Sequence, residues 1–543
     1  MLVVILLIAV VAFMLAYVFY GRFLTKRYEL DDSHPTPSHT DYDGIDRVPA
    51  NKAVLLGHHF SSIAGAAPIV GPIIAGLAFG WLPVLLWIVL GTIFVGGVID
   101  FSALTASIRH KARSIAEIAK QYMSPLAYRL LLIFIWLSLV YVLTVFADLT
   151  ATQFVDNGGV ASSSLIYIVL AVMFGLSLYK LKIPLLWASV IFVPLVFFTV
   201  WLGQKIPISA GMIPEIFAGE PKKTWAIILM IYCFIASITP VWILLQPRDY
   251  LSSYLLYASV LCGFFGILLG RFSIEYPAYT SWNISGTGTL FPILFITVAC
   301  GACSGFHSVV ASGTTSKQLN KETDGIPIAY GGMILEGIVA VIALATVIML
   351  KKGDSITGEP TLTIYGKGIA KFMSVLGFSE QIGFNFGLLA VSSFILTTLD
   401  TATRLGRYVF EELFNLKGKQ SRLLASFATL VLPTIFVLIN LKDGNGNPIP
   451  AWKAIWPVFG ASNQLLAGLV ALVIAVWLNK TKRKFGFIVI PVIFLNIATI
   501  WALVLLLKQY RFSPIGIIAG ILLLLAIVLI FEACRILKKI FVS

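Results

Sequence analysis

The sequence predicts an all-α polytopic membrane protein of about fifteen transmembrane helices. Three observations carry that reading: 59% of the residues are hydrophobic and 12% charged, apolar runs of roughly 18 residues or more recur from end to end, and short loops hold the Lys and Arg. With a mean hydropathy of +0.94, the 543 residues carry more apolar surface than a soluble core hides. Each run is long enough for the ~30 Å hydrocarbon layer at ~1.5 Å rise per residue. The runs are continuous and lack a two-residue period, which excludes a transmembrane barrel and leaves helices as the spanning element.

In chain order the spans are read at 1–19, 54–78, 82–106, 130–150, 163–179, 185–203, 224–245, 250–270, 291–313, 326–349, 384–403, 423–441, 457–478, 485–507 and 514–534. The first lacks a basic leader and a small-residue cleavage site, so it reads as a retained helix and not as a signal peptide. The second is rich in Gly, Pro and His and fits a broken or re-entrant helix equally well. With the amino terminus outside, 27 of the 39 Lys and Arg fall on the cytoplasmic side, including the groups at 109–129, 404–422 and 480–484. The net charge of +14 is therefore a topology signal, and no nucleic-acid partner is implied. Cys233, Cys262, Cys300, Cys303 and Cys534 lie in or beside apolar runs and read as structural thiols. Cys300 and Cys303 have redox or zinc spacing but no second pair to complete a four-ligand site, so no metal is assigned.

Beyond a first helix and loop (1–53), the remaining spans divide into halves at 54–290 and 291–543, seven spans each. An odd number of spans inverts the second half relative to the first. The first span of each half is a small-residue stretch with histidine, 59–66 and 306–313. The second holds a lone carboxylate in Gly-rich apolar sequence, Asp100 or Glu336. The third carries Leu-Thr and then Asp with threonines, around Asp148 and around Asp400. Inverted repeats whose first helices are interrupted by small residues are what secondary transporters use to build a site near the midplane. A break there exposes backbone carbonyls and amides that bind a cation and an anionic solute.

Longer strings resemble the carbon starvation protein A family of transporters. They are Asn51 to Pro72, Gln246-Pro247-Arg248-Asp249-Tyr250-Leu251, Cys300 to Ser308, Leu396 to Arg407, and Phe459-Gly460-Ala461-Ser462-Asn463-Gln464, spread over roughly residues 45 to 480. The resemblance implies a secondary transporter related to the amino acid, polyamine and organocation superfamily, with family members linked to uptake of peptides and of pyruvate. It also implies unwound first and sixth core helices, which map to 58–71 and 303–313. A sodium site would then be formed by Thr397, Thr398 and Thr401 with Ala64 and neighbouring backbone oxygens.

Glu336 lies ten residues beyond Ile326, ~15 Å into the layer, and Asp100 lies ~13 Å from Arg109. An intramembrane carboxylate is costly unless protonated, paired or hydrated, so both are candidates for coupling, with a helix-to-helix hydrogen bond as the structural alternative. Asp400 is a further candidate; an (i, i+4) ion pair with Arg404 explains it as well. Asp148 sits near the outer boundary, where hydration is cheap. His58, His59 and His307 fall in the two interrupted segments and titrate in the range that suits proton coupling or carboxylate recognition. With Ser61, Gly65, Ser304, Gly305 and Ser308 they form the candidate solute-binding set, in which Ser304 and Gly305 offer amides to a carboxylate; tight helix packing accounts for the same small residues. Arg248, Asp249, Arg404, Arg407, Asn463 and Gln464 read as boundary or gate features, with snorkelling at the interface the commoner explanation for the charged ones.

The expected function is cation-coupled symport, driven by Na+ or H+, of a small carboxylate such as pyruvate or of short peptides or amino acids, across a prokaryotic cytoplasmic membrane. No other cofactor is implied. A channel is the alternative. An enzyme is disfavoured because neither a nucleophile motif nor metalloprotease spacing occurs.

Overall fold

In the computed structural model, residues 2–212, 216–217, 219–284, 288–439, 449–511 and 513–542 are described. Among them thirteen helices are long and apolar enough to cross a membrane, from Leu2–Tyr28 to Ile515–Ile536. The bent pair Lys52–Ile63 and Ala67–Phe79 supplies a fourteenth crossing, with 40° between its halves. The local cause is the run Ala64-Gly65-Ala66-Ala67-Pro68. Ala64 leaves the helical region (φ −80°, ψ 50°), and Pro68, which has no N–H, sits in the first turn of the second half.

The expected ninth span, 291–313, is not one helix. It divides into Leu290–Thr297, Ala299–Ala302 and Gly305–Gly313, separated at Val298 and at Cys303 and Ser304. Hydropathy does not report such breaks, because an unwound apolar stretch is as apolar as a helix. Two further boundaries also differ. The first helix extends to Tyr28, well past residue 19. The expected span 224–245 ends at Ile238, and a non-helical stretch precedes the helix Leu245–Gly270. A helix the sequence reading treated as loop, Thr361–Val375, turns Leu362, Ile364, Tyr365, Ile369 and Phe372 inward and packs along Glu380–Leu413. Its lysines and glycines keep it below the apolarity of a span. The described residues hold one pair of short antiparallel strands, Asn283–Ile284 with Gly288–Thr289.

Four helices form the centre of the bundle: Pro125–Asp156, Glu322–Ile348, Glu380–Leu413 and Ala451–Lys480. Leu2–Tyr28, Leu185–Lys205 and Ile515–Ile536 lie outside and turn large apolar side chains outward, as lipid-facing helices do. Loops assigned to the basic side do meet at one end. Arg109 pairs with Glu322 (2.9 Å), Lys52 with Asp324 (3.3 Å), Arg483 with Glu29 (3.2 Å), and Ser114 donates to Glu412 (2.9 Å).

Two helices carry π-helical segments shortly before their carboxylates, Thr92–Gly96 before Asp100 and Ile326–Tyr330 before Glu336. The segments touch: the Tyr330 hydroxyl donates to the Ile93 carbonyl at 3.3 Å, and the ring covers Gly97. A π-turn shifts the register of the residues beyond it, and such turns concentrate at functional sites.

Candidate functional site

The inner half of the first broken helix, Lys52–Ile63, delivers two consecutive histidines into the bundle. Successive residues on a helix diverge by about 100°, so the rings face different neighbours. His58 Nδ1 lies 2.5 Å from Asp249 Oδ2, and His59 Nε2 lies 2.9 Å from Asp100 Oδ2. The remaining ring nitrogens face adjacent hydroxyls just past the second broken helix, His58 Nε2 at Thr314 Oγ1 (3.3 Å) and His59 Nδ1 at Thr315 Oγ1 (2.9 Å). All four of these titratable groups are at most 1% exposed.

The second broken helix delivers His307, whose Nε2 stands 3.3 Å from Glu336 Oε2. This pair differs from the other two. Both ring nitrogens and both carboxylate oxygens are buried, and none has a side-chain hydrogen bond to a third residue among the described residues. Gly332, one turn before Glu336, faces the His59 ring, so the pairs His307–Glu336 and His59–Asp100 adjoin.

Asp400 pairs with Arg248 and accepts from the Tyr232 hydroxyl (2.7 Å), while Arg248 Nη2 reaches Asp249 Oδ1 at 3.5 Å. The expected alternative, Asp400 with Arg404, is not formed; Arg404 turns to Asp46. Arg248 and Asp249 correct the boundary reading, since both are fully buried. A permanently charged guanidinium in that position needs a carboxylate, and Asp400 supplies it.

Of the candidate cation ligands, Thr398 Oγ1 lies 3.1 Å from two acceptors, the Ser62 carbonyl across the break and the Phe394 carbonyl of its own helix, and Thr401 Oγ1 lies 3.1 Å from Ser62 Oγ, at the break of the first helix. Thr397 Oγ1 instead donates to the Ser393 carbonyl of its own helix (3.0 Å), with Ser252 Oγ at 3.4 Å. Ala64 is buried in the break itself. Gly65 is required there by close approach: a Cβ would lie 2.8 Å from Thr398 Oγ1 and 2.9 Å from the Phe146 ring. Ser61 donates to the Asp249 carbonyl (3.0 Å), which ties the helix to its neighbour.

At the second break Asn463 is the organising residue. Its Oδ1 accepts from the Phe306 N–H (2.9 Å) and from Ser304 Oγ (3.1 Å), and its Nδ2 faces Cys300 Sγ at 3.0 Å. The Ser304 hydroxyl and the Phe306 amide, next to the Ser304 and Gly305 amides expected to meet a solute, are thus already engaged. Gly305 sits against Ala467 and Asn463 backbone, where a Cβ would lie 2.4 Å from the Ala467 nitrogen. Ser308 Oγ is buried and without a partner. Asp148 lies away from this cluster and bonds Lys222 (2.7 Å) and the Trp452 N–H (3.0 Å). All five cysteines are free, and no group of three or more His, Cys, Asp or Glu among the described residues is placed to hold a metal ion.

Residues 1–364 and 355–502 match the family described as carbon starvation protein CstA. The chain belongs to the CstA family. Its relatives include the peptide transporter CstA of Escherichia coli (31% identical, over 93% of this chain and 80% of the relative) and that of Bacillus subtilis (30%, 96% and 94%). The pyruvate/proton symporter BtsT of Escherichia coli is 30% identical over 93% of this chain and 81% of its own length. Among solved structures, an Eremococcus coleocola manganese transporter mutant (15% identity, 91% of this chain, 99% of that one) and MhsT in complex with L-phenylalanine (13%, 89% and 99%) superpose with TM-scores of 0.46 and 0.47. Those scores lie below the level that fixes a shared fold. With its family and its spans, this CstA-family chain is a multi-pass secondary transporter of a prokaryotic inner membrane.

Proposed function

We propose that the chain is a proton-coupled symporter of small carboxylate-bearing solutes, pyruvate-like acids or short peptides, and that His307 and Glu336 carry the coupled proton. The observation that supports this most directly is that pair's isolation from other side chains: an imidazole and a carboxyl 3.3 Å apart, buried, beside both helix breaks, with no side-chain hydrogen bond to a third residue among the described residues. An intramembrane carboxyl and imidazole with no third ionic partner form a site for one transported proton. A solute carboxylate arriving at the breaks brings a negative charge beside that site, which a proton on the pair offsets. Solute and proton thereby load together, and one carboxylate with one proton crosses without net charge. The other two imidazoles already have carboxylate and hydroxyl partners and serve to close the inner halves of the broken helices.

The inverted repeat belongs to this reading. Each half turns a histidine of its broken helix onto the carboxylate of its following helix, His59 to Asp100 and His307 to Glu336, and each following helix carries a π-turn. The third helices also correspond, with Asp148 on Lys222 and Asp400 on Arg248. A cavity of about 550 Å³ at the end opposite the basic loops, lined by Ile74, Thr297, Trp452 and Trp456 among others, offers an outer entrance beside the outer halves of both broken helices.

The test is uptake of radiolabelled pyruvate and of glycylglycine into proteoliposomes under imposed gradients. An inward proton gradient should drive accumulation of at least one of them, a protonophore should abolish it, and Glu336→Gln should keep solute counterflow while losing accumulation. Sodium coupling is the second reading, favoured by the oxygens of Ser62, Thr398 and Thr401 at the first break. Accumulation driven by sodium, indifferent to the protonophore and lost in Thr398→Ala, would replace the proton with that ion.

A further inference from the structure

Residues 29–51, between the first helix and the first broken helix, cross the basic end as a strap. The strap is stitched along residues 318–323, which continue the inner half of the second broken helix. The Asp31 N–H donates to Glu322 (3.0 Å), Asp32 accepts from the Thr323 N–H (3.0 Å) and hydroxyl (2.8 Å), the hydroxyls of Thr36 and Ser38 both donate to the Leu319 carbonyl, and the Ala50 N–H donates to the Gln318 carbonyl (3.0 Å). At Asp46 the strap reaches the helix Glu380–Leu413, where Asp46 bonds Arg404 at 2.9 Å and Arg407 at 3.3 Å. Both arginines are 1% exposed, and the Asp46 side chain is 12% exposed. Arg404 also donates to the Ala236 carbonyl (2.8 Å) and to that of Thr239. Asp43 Oδ1 accepts from the successive amides of Ile45, Asp46 and Arg47 (2.9, 2.8 and 2.8 Å), which sets the turn that presents Asp46.

Behind this contact is a cavity of about 210 Å³. Arg47 of the strap forms part of its wall, with Ser312 and Gly313 from the last turn of the second broken helix, Lys317, and Leu405 and Tyr408 from the arginine-bearing helix. The cavity therefore lies where a solute leaving the helix breaks between these two helices would pass. Burial alone would raise the Asp46 carboxyl; Arg404, Arg407 and Lys317 overturn that effect and hold it well below the usual carboxylate range.

We infer that Asp46 is the inner-gate residue of this transporter: its bridges to Arg404 and Arg407 hold the strap closed over the basic end of the solute path and release once in every turnover. The inference rests on secondary transport and is independent of which ion is coupled. One carboxylate shared by two buried guanidiniums is a contact whose loss leaves both cations unpaired, so closed and open are two distinct states and not a continuum.

The test reads accessibility first, with no solute present. In a background with Cys262 and Cys534 replaced by serine, Ser312→Cys reports the cavity, and a membrane-impermeant maleimide is added to inside-out vesicles. Asp46→Ala should raise its labelling rate at least fivefold, and Asp46→Glu should return it towards the parent rate. A second measurement joins positions 46 and 407, as Asp46→Cys with Arg407→Cys, by a bifunctional maleimide. The linked protein should lose at least tenfold in pyruvate or glycylglycine uptake relative to the same protein left unlinked. Unchanged labelling in Asp46→Ala, or full-rate uptake by the linked protein, overturns the inference. No uptake by the parent protein would count against the choice of solutes; no uptake by the unlinked double variant while the parent transports is the loss expected from removing the bridges, and the labelling result then decides the gate.

Discussion

The histidines and carboxylates of the bundle are best separated by what each would leave behind if removed. Deleting the carboxylate of Asp100 or Asp249 strands a buried imidazole that also faces a threonine, so Asp100→Asn and Asp249→Asn should lower the unfolding temperature in detergent as well as uptake. Glu336→Gln removes a group with no hydrogen bond to lose, and its unfolding temperature should stay within a few degrees of the parent while proton-driven accumulation disappears. Asp148→Asn should lower stability by about 1 to 3 kcal/mol in chemical unfolding, because Asp148 ties Lys222 and the Trp452 amide together. Glu336 and Asp100 were legible in the sequence because a lone carboxylate in an apolar run has few explanations. Arg248 and Asp249 were not: they begin an apolar run, where a charge ordinarily reaches for the interface, and nothing local reveals that neighbouring helices carry Tyr232 and Asp400 to meet them. Asp46 was hidden for a related reason, since a polar loop looks solvated until its partners are known.

Among elements, the two broken helices determine most of the architecture of the site. Their outer halves meet at Gly71, where a Cβ would lie 2.4 Å from the Thr297 carbonyl oxygen, and Gly71→Ala should therefore lower the yield of folded protein sharply, as measured by monodisperse recovery in detergent. Asn463→Ala should cost about 1 to 3 kcal/mol of stability and reduce solute counterflow, because it leaves the Phe306 amide without its acceptor at the start of Gly305–Gly313. The small-residue runs pointed to both interrupted segments, but the second was placed at 303–313, whereas the chain is helical from Gly305 to Gly313 and leaves the helix at Val298 and at Cys303 and Ser304. Asn463 was not visible as a cap, because the residue it caps lies about 160 positions away and capping signals are read locally. The helix Thr361–Val375 escaped for the opposite reason: its apolar face is ordinary for a soluble helix and falls short of a span.

At the scale of the whole molecule, loops that charge counting assigned to one side meet at one end, through Arg109–Glu322, Lys52–Asp324 and Arg483–Glu29. The gate and the coupling pair should also respond differently to acid. Asp46 is held ionised by its cationic neighbours, so its contribution is present throughout the working range and is lost only as pH falls through its lowered value. The ratio of Ser312→Cys labelling with Asp46 intact to that in Asp46→Ala cancels the thiolate's own pH dependence and that of Glu412 in the cavity wall, and should stay constant between about pH 5 and pH 7 while uptake varies. One feature also limits the motion that opens the protein. His58 and His59 leave the same short helix about 100° apart and are fastened to two different helices through Asp249 and Asp100, with both rings also held from the same end by Thr314 and Thr315. Turning that helix about its own axis would compress one attachment as it stretched the other. Swinging it about the break at Ala64 moves both rings the same way, so the inner half behaves as a lever with a single soft coordinate, its tilt.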